Sequence, residues 1–150
     1  MGRGPIDDIR TLKPSSPSNP QTAPVYLPDN QPETTPSEDQ MKIAIVAGAR
    51  PNFMKVAPIL SELRRYPDDF TPQLIHTGQH YDYQLSDIFF KALALPPPDA
   101  YLDVTRSNEA QQAADIIAKF DAYLAAEEPD LVLVVGDVTS TSACALASSK

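Results

Sequence analysis

Three short apolar runs in this chain close on a glycine: "KIAIVAG" (42–48), "QLIHTG" (73–78) and "DLVLVVGD" (130–137). Runs of this length, rich in β-branched residues and stopped by glycine, read as buried strands. The third is apolar without alternation, as expected of a strand covered on both faces. The stretches between them change to helical spacing. "PNFMKVAPILSELRRY" (51–66) sets Phe53, Val56, Ile59, Leu60 and Leu63 on one side. Pro51 suits its first position, where a missing N–H costs nothing, and Pro58 removes one interior backbone bond. "DYQLSDIFFKALAL" (82–95) puts Leu85, Ile88, Phe89 and Ala92 on one face. "NEAQQAADIIAKFDAYLAAEE" (108–128) does the same with Ala113, Ile117, Phe120 and Leu124, and offers an Asp115–Lys119 pair at i,i+4. A short strand is expected near 100–104 and a last helix from about Thr139.

Strands that alternate with helices specify right-handed βαβ units. The expected fold class is therefore α/β, a Rossmann-like, doubly wound parallel sheet. Such sheets bind ligands beyond the carboxyl ends of their strands. Three segments then meet on one rim: "GARPNFMK", "TGQHYD" and "GDVTST".

Composition narrows the partners. The chain has 150 residues, enough for one domain, and a net charge of −8. A nucleic acid or an anionic membrane finds no global attraction, so any anion must be held by a local cluster of cations. No apolar run approaches the roughly 20 residues of a membrane span. Cys144 is the only cysteine. No intrachain disulfide can form, which fits a reducing, cytoplasmic setting. Eight of the 16 prolines fall in residues 1–40. That segment has too few apolar side chains to offset chain entropy and reads as a disordered leader. The ordered pattern opens at Met41 and occupies 41–150. "TSTSACALASSK" reads as the opening turns of a helix without a closing element, so the chain reads as a fragment of a longer protein.

On the rim, Gly48 lets the backbone turn tightly after its strand. Arg50 and Lys55 follow within one and a half turns. Two cations at a helix N-terminus oppose the helix dipole, so they do not serve the helix. They make sense around a phosphate or diphosphate, which that end also attracts; the alternative is two solvated surface cations. The segment has neither the three glycines of a dinucleotide fingerprint nor a phosphate-loop GxxxxGK[ST]. Asp137 follows a buried strand and Gly136. It reads equally as an acid or base at the site and as a cap of the next helix, a role Thr139 also fits. His76 reads as a packed core residue and His80 as a loop residue near a ligand. Nothing carries metal-ligand spacing, so no metal and no cofactor is expected. Cys144 reads as a small buried apolar side chain.

"AGARPNFMKVAPIL", "HTGQHYDYQLSDIFF" and "DLVLVVGDVTSTSACALASSK", in this order, closely resemble the non-hydrolysing UDP-N-acetylglucosamine 2-epimerases over essentially all of residues 41–150. Ala49 stands where threonine is more usual, and Asn52 where many members carry glutamate. The resemblance implies the first half of a glycosyltransferase-B type fold, with two Rossmann-like domains facing across a cleft. It implies that Arg50 and Lys55 contact the nucleotide-sugar, that Asp137 belongs to the catalytic site, and that Gln79 and His80 lie near a second, regulatory UDP-GlcNAc site. The implied reaction interconverts UDP-GlcNAc and UDP-ManNAc by loss and re-addition of UDP. The family's other acidic groups and its histidine would lie beyond Lys150, so this chain alone is expected to be inactive. Homodimers and surface-polysaccharide synthesis are further implications. A hydrolysing epimerase, a glycosyltransferase of the same fold, and a non-enzymatic UDP-binding module are the rival readings.

Overall fold

The run Met41–Ala47 forms strand β1, and from Ile43 onward every residue of it is buried. That continuity requires a cover on each face, and the fold supplies two. Ile43, Ile45 and Ala47 point into a cluster with Phe53, Val56, Leu60, Leu74, Phe90 and Leu95. Ala44 and Val46 point the other way, against Ile116, Phe120, Tyr123, Ala143, Cys144 and Ala147. The alternation is the period of two of a strand, here with both phases apolar.

The computed structural model describes residues 39–78, 87–105 and 107–149. Its other strands are β2 (Phe70–His76), β3 (Ala100–Tyr101) and β4 (Leu131–Val134), and its helices α1 (Arg50–Leu63), α2 (Asp87–Ala92), α3 (Glu109–Glu127) and α4 (Thr139–Ser148). The sheet is parallel in the order β3-β2-β1-β4. The chain steps outward from β1 to β2 and β3, then returns through α3 to the other side of β1. The direction of winding therefore reverses between β1 and β4, where a doubly wound sheet opens a crevice. The expected α/β class and the rim position are both found.

Several local expectations shift. The burial stripe of α3 runs through Ile116, Lys119, Phe120 and Tyr123, not through Ala113, Ile117 and Leu124, which lie only partly buried. Lys119 does not pair with Asp115. Its ammonium is drawn inward and donates to the Asp103 carbonyl at 2.8 Å, while Asp115 accepts from Gln111 at 2.9 Å. Asp103 has φ 50°, so the backbone leaves the strand geometry there, and β3 is shorter than the expected 100–104. β4 is only half-buried, with Leu131 46% exposed, because it forms the sheet edge among the described residues. Gln40, read as part of the leader, braces the entry to the sheet. Its amide donates to Pro67 O at 2.6 Å and accepts from the Thr71 hydroxyl at 3.0 Å. Residues 82–86 of the second expected helix lie outside the described residues. The part that is described buries Phe90 against Phe53, with ring centroids 4.7 Å apart.

Aspartates begin two of the strands. Asp99 and Asp130 each place a carboxylate on the neighbouring strand's N–H, at 2.6 Å to Leu74 and 2.7 Å to Lys42. The ladder starts with its donors satisfied.

Cys144 is fully buried, and burial pushes its thiol from the ordinary 9.0 up to about 12. Burial, followed by the charges of Glu127 and Asp99, also raises the Tyr123 phenol. Both groups are held neutral in the fold and lose their protons at lower pH once unfolded. Stability is therefore complete below about pH 9 and falls as pH rises toward 12. Denaturant unfolding between pH 8 and 11 is expected to show this decline, with a shallower slope in Cys144→Ala. An equal slope would remove the thiol as a cause.

Candidate active site

The C-terminal ends of β1, β2 and β4 enclose a cleft of about 530 Å³. Gly48, Ala49, Arg50 and Phe53 form one wall, His76 to Gly78 the back, and Val138 to Ser140 the opposite wall; Val104, Gln112 and Ile116 close the side. Two helices start at this cleft, α1 at Arg50 and α4 at Thr139. Their N-caps, Ala49 and Val138, make no side-chain cap bond, and neither first turn carries an acid. Helix α3 differs: Asn108 caps it through Gln111 N, and Glu109 sits in its first turn. At α1 Asn52 Oδ1 takes the Ala49 N–H, Asn52 N donates to Ala49 O and Pro51 has no N–H, so that start brings mainly its positive dipole end to the cleft; α4 starts with no side-chain cap, and its dipole end faces the same space. With Arg50 beside them, the cleft is shaped for an anion with more than one charged group.

The turn after β1 is tight because two other segments reach it. A Cβ added to Gly48 would collide with the Ser140 hydroxyl and lie 2.6 Å from Thr77 Oγ1. Thr77 and Ser140 are themselves buried, so neither has room to withdraw. Asn52, 2% exposed, closes the opposite side. Its Oδ1 accepts from Ala49 N at 3.0 Å, and its Nδ2 donates to Val135 O at 2.7 Å.

The sequence-derived residues are distributed unevenly around this cleft. Arg50 lines it. Lys55 does not; it lies exposed on α1. Asp137 is exposed at the edge of the cleft, one residue before Val138. The structure removes the capping alternative for Asp137 and for Thr139, because Val138 holds the cap position and Thr139 is already helical. His76 is packed as expected. Its ring stacks on Phe53 at 5.3 Å and tilts against Tyr101 at 5.6 Å, while Nδ1 accepts from Gly78 N at 2.9 Å. Gln79 and His80 lie outside the described residues. The sequence reading did not find Asn52, Thr77 and Ser140 as site-shaping groups. The available signal was polar side chains within three or four residues of strand-ending glycines. Among the described residues no group of three or more His, Cys, Asp or Glu converges on a metal position, and no helix is long and apolar enough to cross a membrane.

A parallel sheet with a crevice at its switch point defines a Rossmann-like α/β domain. Comparison with known proteins is more specific. Residues 61–150 match the family described as UDP-N-acetylglucosamine 2-epimerase. A UDP-N-acetylglucosamine 2-epimerase homolog of Methanococcus maripaludis is 46% identical over 110 residues, covering 73% of this chain and 30% of the relative. The UDP-2,3-diacetamido-2,3-dideoxy-D-glucuronate 2-epimerase of Pseudomonas aeruginosa is 39% identical over the same length, covering 73% of this chain and 31% of that protein. The Methanocaldococcus jannaschii UDP-GlcNAc 2-epimerase, solved in complex with UDP-GlcNAc and UDP, superimposes with a TM-score of 0.65 at 35% identity, covering 73% of this chain and 30% of that one. The chain belongs to the UDP-N-acetylglucosamine 2-epimerase family and spans about 30% of the length of these relatives.

Gly48→Ala tests the packing of the first turn. The added methyl group is expected to lower stability by about 1–3 kcal/mol, the cost of overfilling a packed site, and to close part of the anion cleft. Chemical denaturation measures the first effect; unchanged stability would show that Ser140 and Thr77 can move aside.

Proposed function

We propose that this chain supplies the diphosphate-binding side of the active site of a UDP-N-acetylglucosamine 2-epimerase of the non-hydrolysing type. The observation that carries the reading is the convergence of Arg50 and two helix N-termini on one cleft. The family's reaction requires such a feature. In the proposed sequence a base takes the C2 proton, the C1–O bond to the β-phosphate breaks, and a 2-acetamidoglucal and UDP result. UDP then adds back to C1 while a proton is delivered to C2 on the other face, giving UDP-ManNAc.

The C2 proton is poorly acidic, so the reaction depends on stabilising the departing diphosphate. Fixed donors and a cation serve this best because they need no reorganisation as charge develops. Retaining UDP in the cleft keeps re-addition faster than loss to water. Asp137, at the rim and free of a capping duty, is the proton-transfer group of this half of the site. Lys55 contributes from the outer face of α1 as a second cation once the diphosphate is bound. Gln79 and His80 follow the cleft residue Gly78 in sequence and belong to the regulatory UDP-GlcNAc site. The whole enzyme works in the cytoplasm as a homodimer in polysaccharide synthesis. Further catalytic acids and a histidine complete the site in the whole enzyme, so this chain by itself binds UDP without turning over. The relative from Pseudomonas aeruginosa is named for a different acetamido sugar. That favours a second reading in which the same UDP site serves a diacetamido-glucuronate, and the two substrates offered in parallel distinguish them.

Calorimetric titration with UDP is the direct test. Arg50→Ala is expected to weaken binding by roughly 1.5–3 kcal/mol, the worth of one charge-assisted contact. Equal affinity would make Arg50 a surface residue. For turnover, residues 41–149 replace the corresponding part of the Methanocaldococcus jannaschii enzyme. Deuterium uptake at C2 in D₂O is then followed by NMR, and release of free ManNAc marks a hydrolysing enzyme. In this hybrid Asp137→Asn is expected to slow exchange by about 10²–10⁴-fold, the range of a lost acid–base group, with UDP affinity unchanged. Normal exchange would remove Asp137 from the mechanism.

A further inference from the structure

Asn52 occupies the switch-point crevice without lining the cleft itself. It is one of the few buried polar side chains of the described core, and each half of its amide has a different task. Its oxygen accepts from Ala49 N, the N-cap of α1, at 3.0 Å. Its nitrogen crosses to β4 and donates to Val135 O at 2.7 Å. The same carbonyl accepts from Thr141 Oγ1 at 3.0 Å, so the end of β4 is tied both to α1 and to the first turn of α4. Gly136 follows with φ +92°, and a Cβ at that position would strike Asn52 Nδ2. The turn that presents Asp137 therefore lies directly against the Asn52 amide.

We propose that Asn52 is a positioning residue. It sets the spacing between the Arg50 turn and the Gly136–Asp137 turn, and through that spacing the affinity of the cleft for a nucleoside diphosphate. The proposal rests on the reading of the cleft as a UDP site. The two turns belong to different strands, and among the residues just described Asn52 is the side chain that joins them. One amide satisfies a donor on one side and an acceptor on the other, a combination that neither a carboxylate nor an apolar side chain offers. Replacing the nitrogen with oxygen leaves size and shape nearly unchanged. It does set a carboxylate against the Val135 carbonyl, two acceptors in contact with no proton between them. The crevice should then open at the point where the diphosphate must touch both walls.

This logic gives the role a pH signature. Burial and the facing carbonyl raise the pKa of a carboxyl introduced at this position. Once protonated, it regains a donor for Val135 O. The charged and titratable groups on the elements that meet here are Arg50 and Lys55 in the first turns of α1, with Glu62 in its last turn, His76 at the end of β2, Asp137 after β4 and Cys144 on α4. Comparison of each variant with the unsubstituted chain at the same pH cancels their titration and that of UDP.

The test is titration of the 150-residue chain, Asn52→Asp and Asn52→Ser with UDP at pH 7.5 and pH 5, with unfolding midpoints measured alongside. At pH 7.5 both substitutions are expected to weaken UDP binding by about 10-fold or more, as for a buried group left unpaired. At pH 5 the Asn52→Asp deficit should shrink to about threefold or less, while the Asn52→Ser deficit persists, because the hydroxyl is too short to bridge both partners. A folded Asn52→Ser chain that binds UDP as the unsubstituted chain does would overturn the proposal. So would an Asn52→Asp deficit that does not change with pH, or loss of folding in both variants, which would make the role purely structural. If the unsubstituted chain fails to bind UDP, the site reading itself falls and takes this inference with it; that result is distinct from a change confined to the variants.

Discussion

Strand β1 is buried on both faces and hydrogen-bonded on both edges, and the rest of the molecule is arranged around that constraint. A strand so enclosed can carry no polar side chain along its buried length, so its chemistry must begin where it ends. At that end Gly48 is hemmed in by Thr77 from β2 and Ser140 from α4. The close approach brings three segments, distant in sequence, to one rim. The absence of a side chain at one residue thus decides how near the walls of the cleft come.

Two helix starts at the cleft lack a capping side chain at the N-cap itself. Ala49 and Val138 cannot supply one, although at α1 Asn52 Oδ1 accepts the Ala49 N–H. A serine or threonine at such a position commonly contributes about 1 kcal/mol. On the proposed reading, the positive ends of these helices serve a ligand whose charge complements them. The capped helix α3 shows that the chain can satisfy a helix start when nothing needs it: Asn108 and Glu109 do so on the same rim. The contrast is sharpest between α3 and α4, and it supports the proposed anion site alongside Arg50.

The sequence made the parallel α/β sheet and its rim legible because strand and helix periods are written in apolar residues; the order β3-β2-β1-β4 was not among its readings. "KIAIVAG" and "QLIHTG" required buried neighbours and glycine exits, and both were found. Lys119 was misread because an i,i+4 partner in Asp115 looked sufficient. The deciding acceptor was the Asp103 carbonyl, which only the left-handed bend after β3 presents. "DLVLVVGD" was read as covered on both faces, whereas its cover depends on how many strands lie beyond β4, a matter of topology. For Asp137 the local pattern allowed a cap as readily as a catalytic acid, and the helix start at Thr139, with Val138 at the cap, removes only the first of these. For Asn52 the sequence offered only its nearness to Gly48; its partners on Ala49 and Val135 are backbone groups, and one of them is 83 residues away.

These features separate two tasks within one site. In the proposed reaction the charge of the departing diphosphate is met by helix dipoles and Arg50, groups fixed by helix starts and by the turn after β1. In the same proposed reaction, proton transfer at carbon falls to Asp137, carried on the turn after β4. The two belong to opposite sides of the switch point and share only the joint through Asn52 and the Val135 carbonyl. Loss of the leaving group and movement of the proton must occur on the same sugar, so their geometry must be correlated. In this fold one buried amide, spanning the crevice between β1 and β4, supplies that correlation.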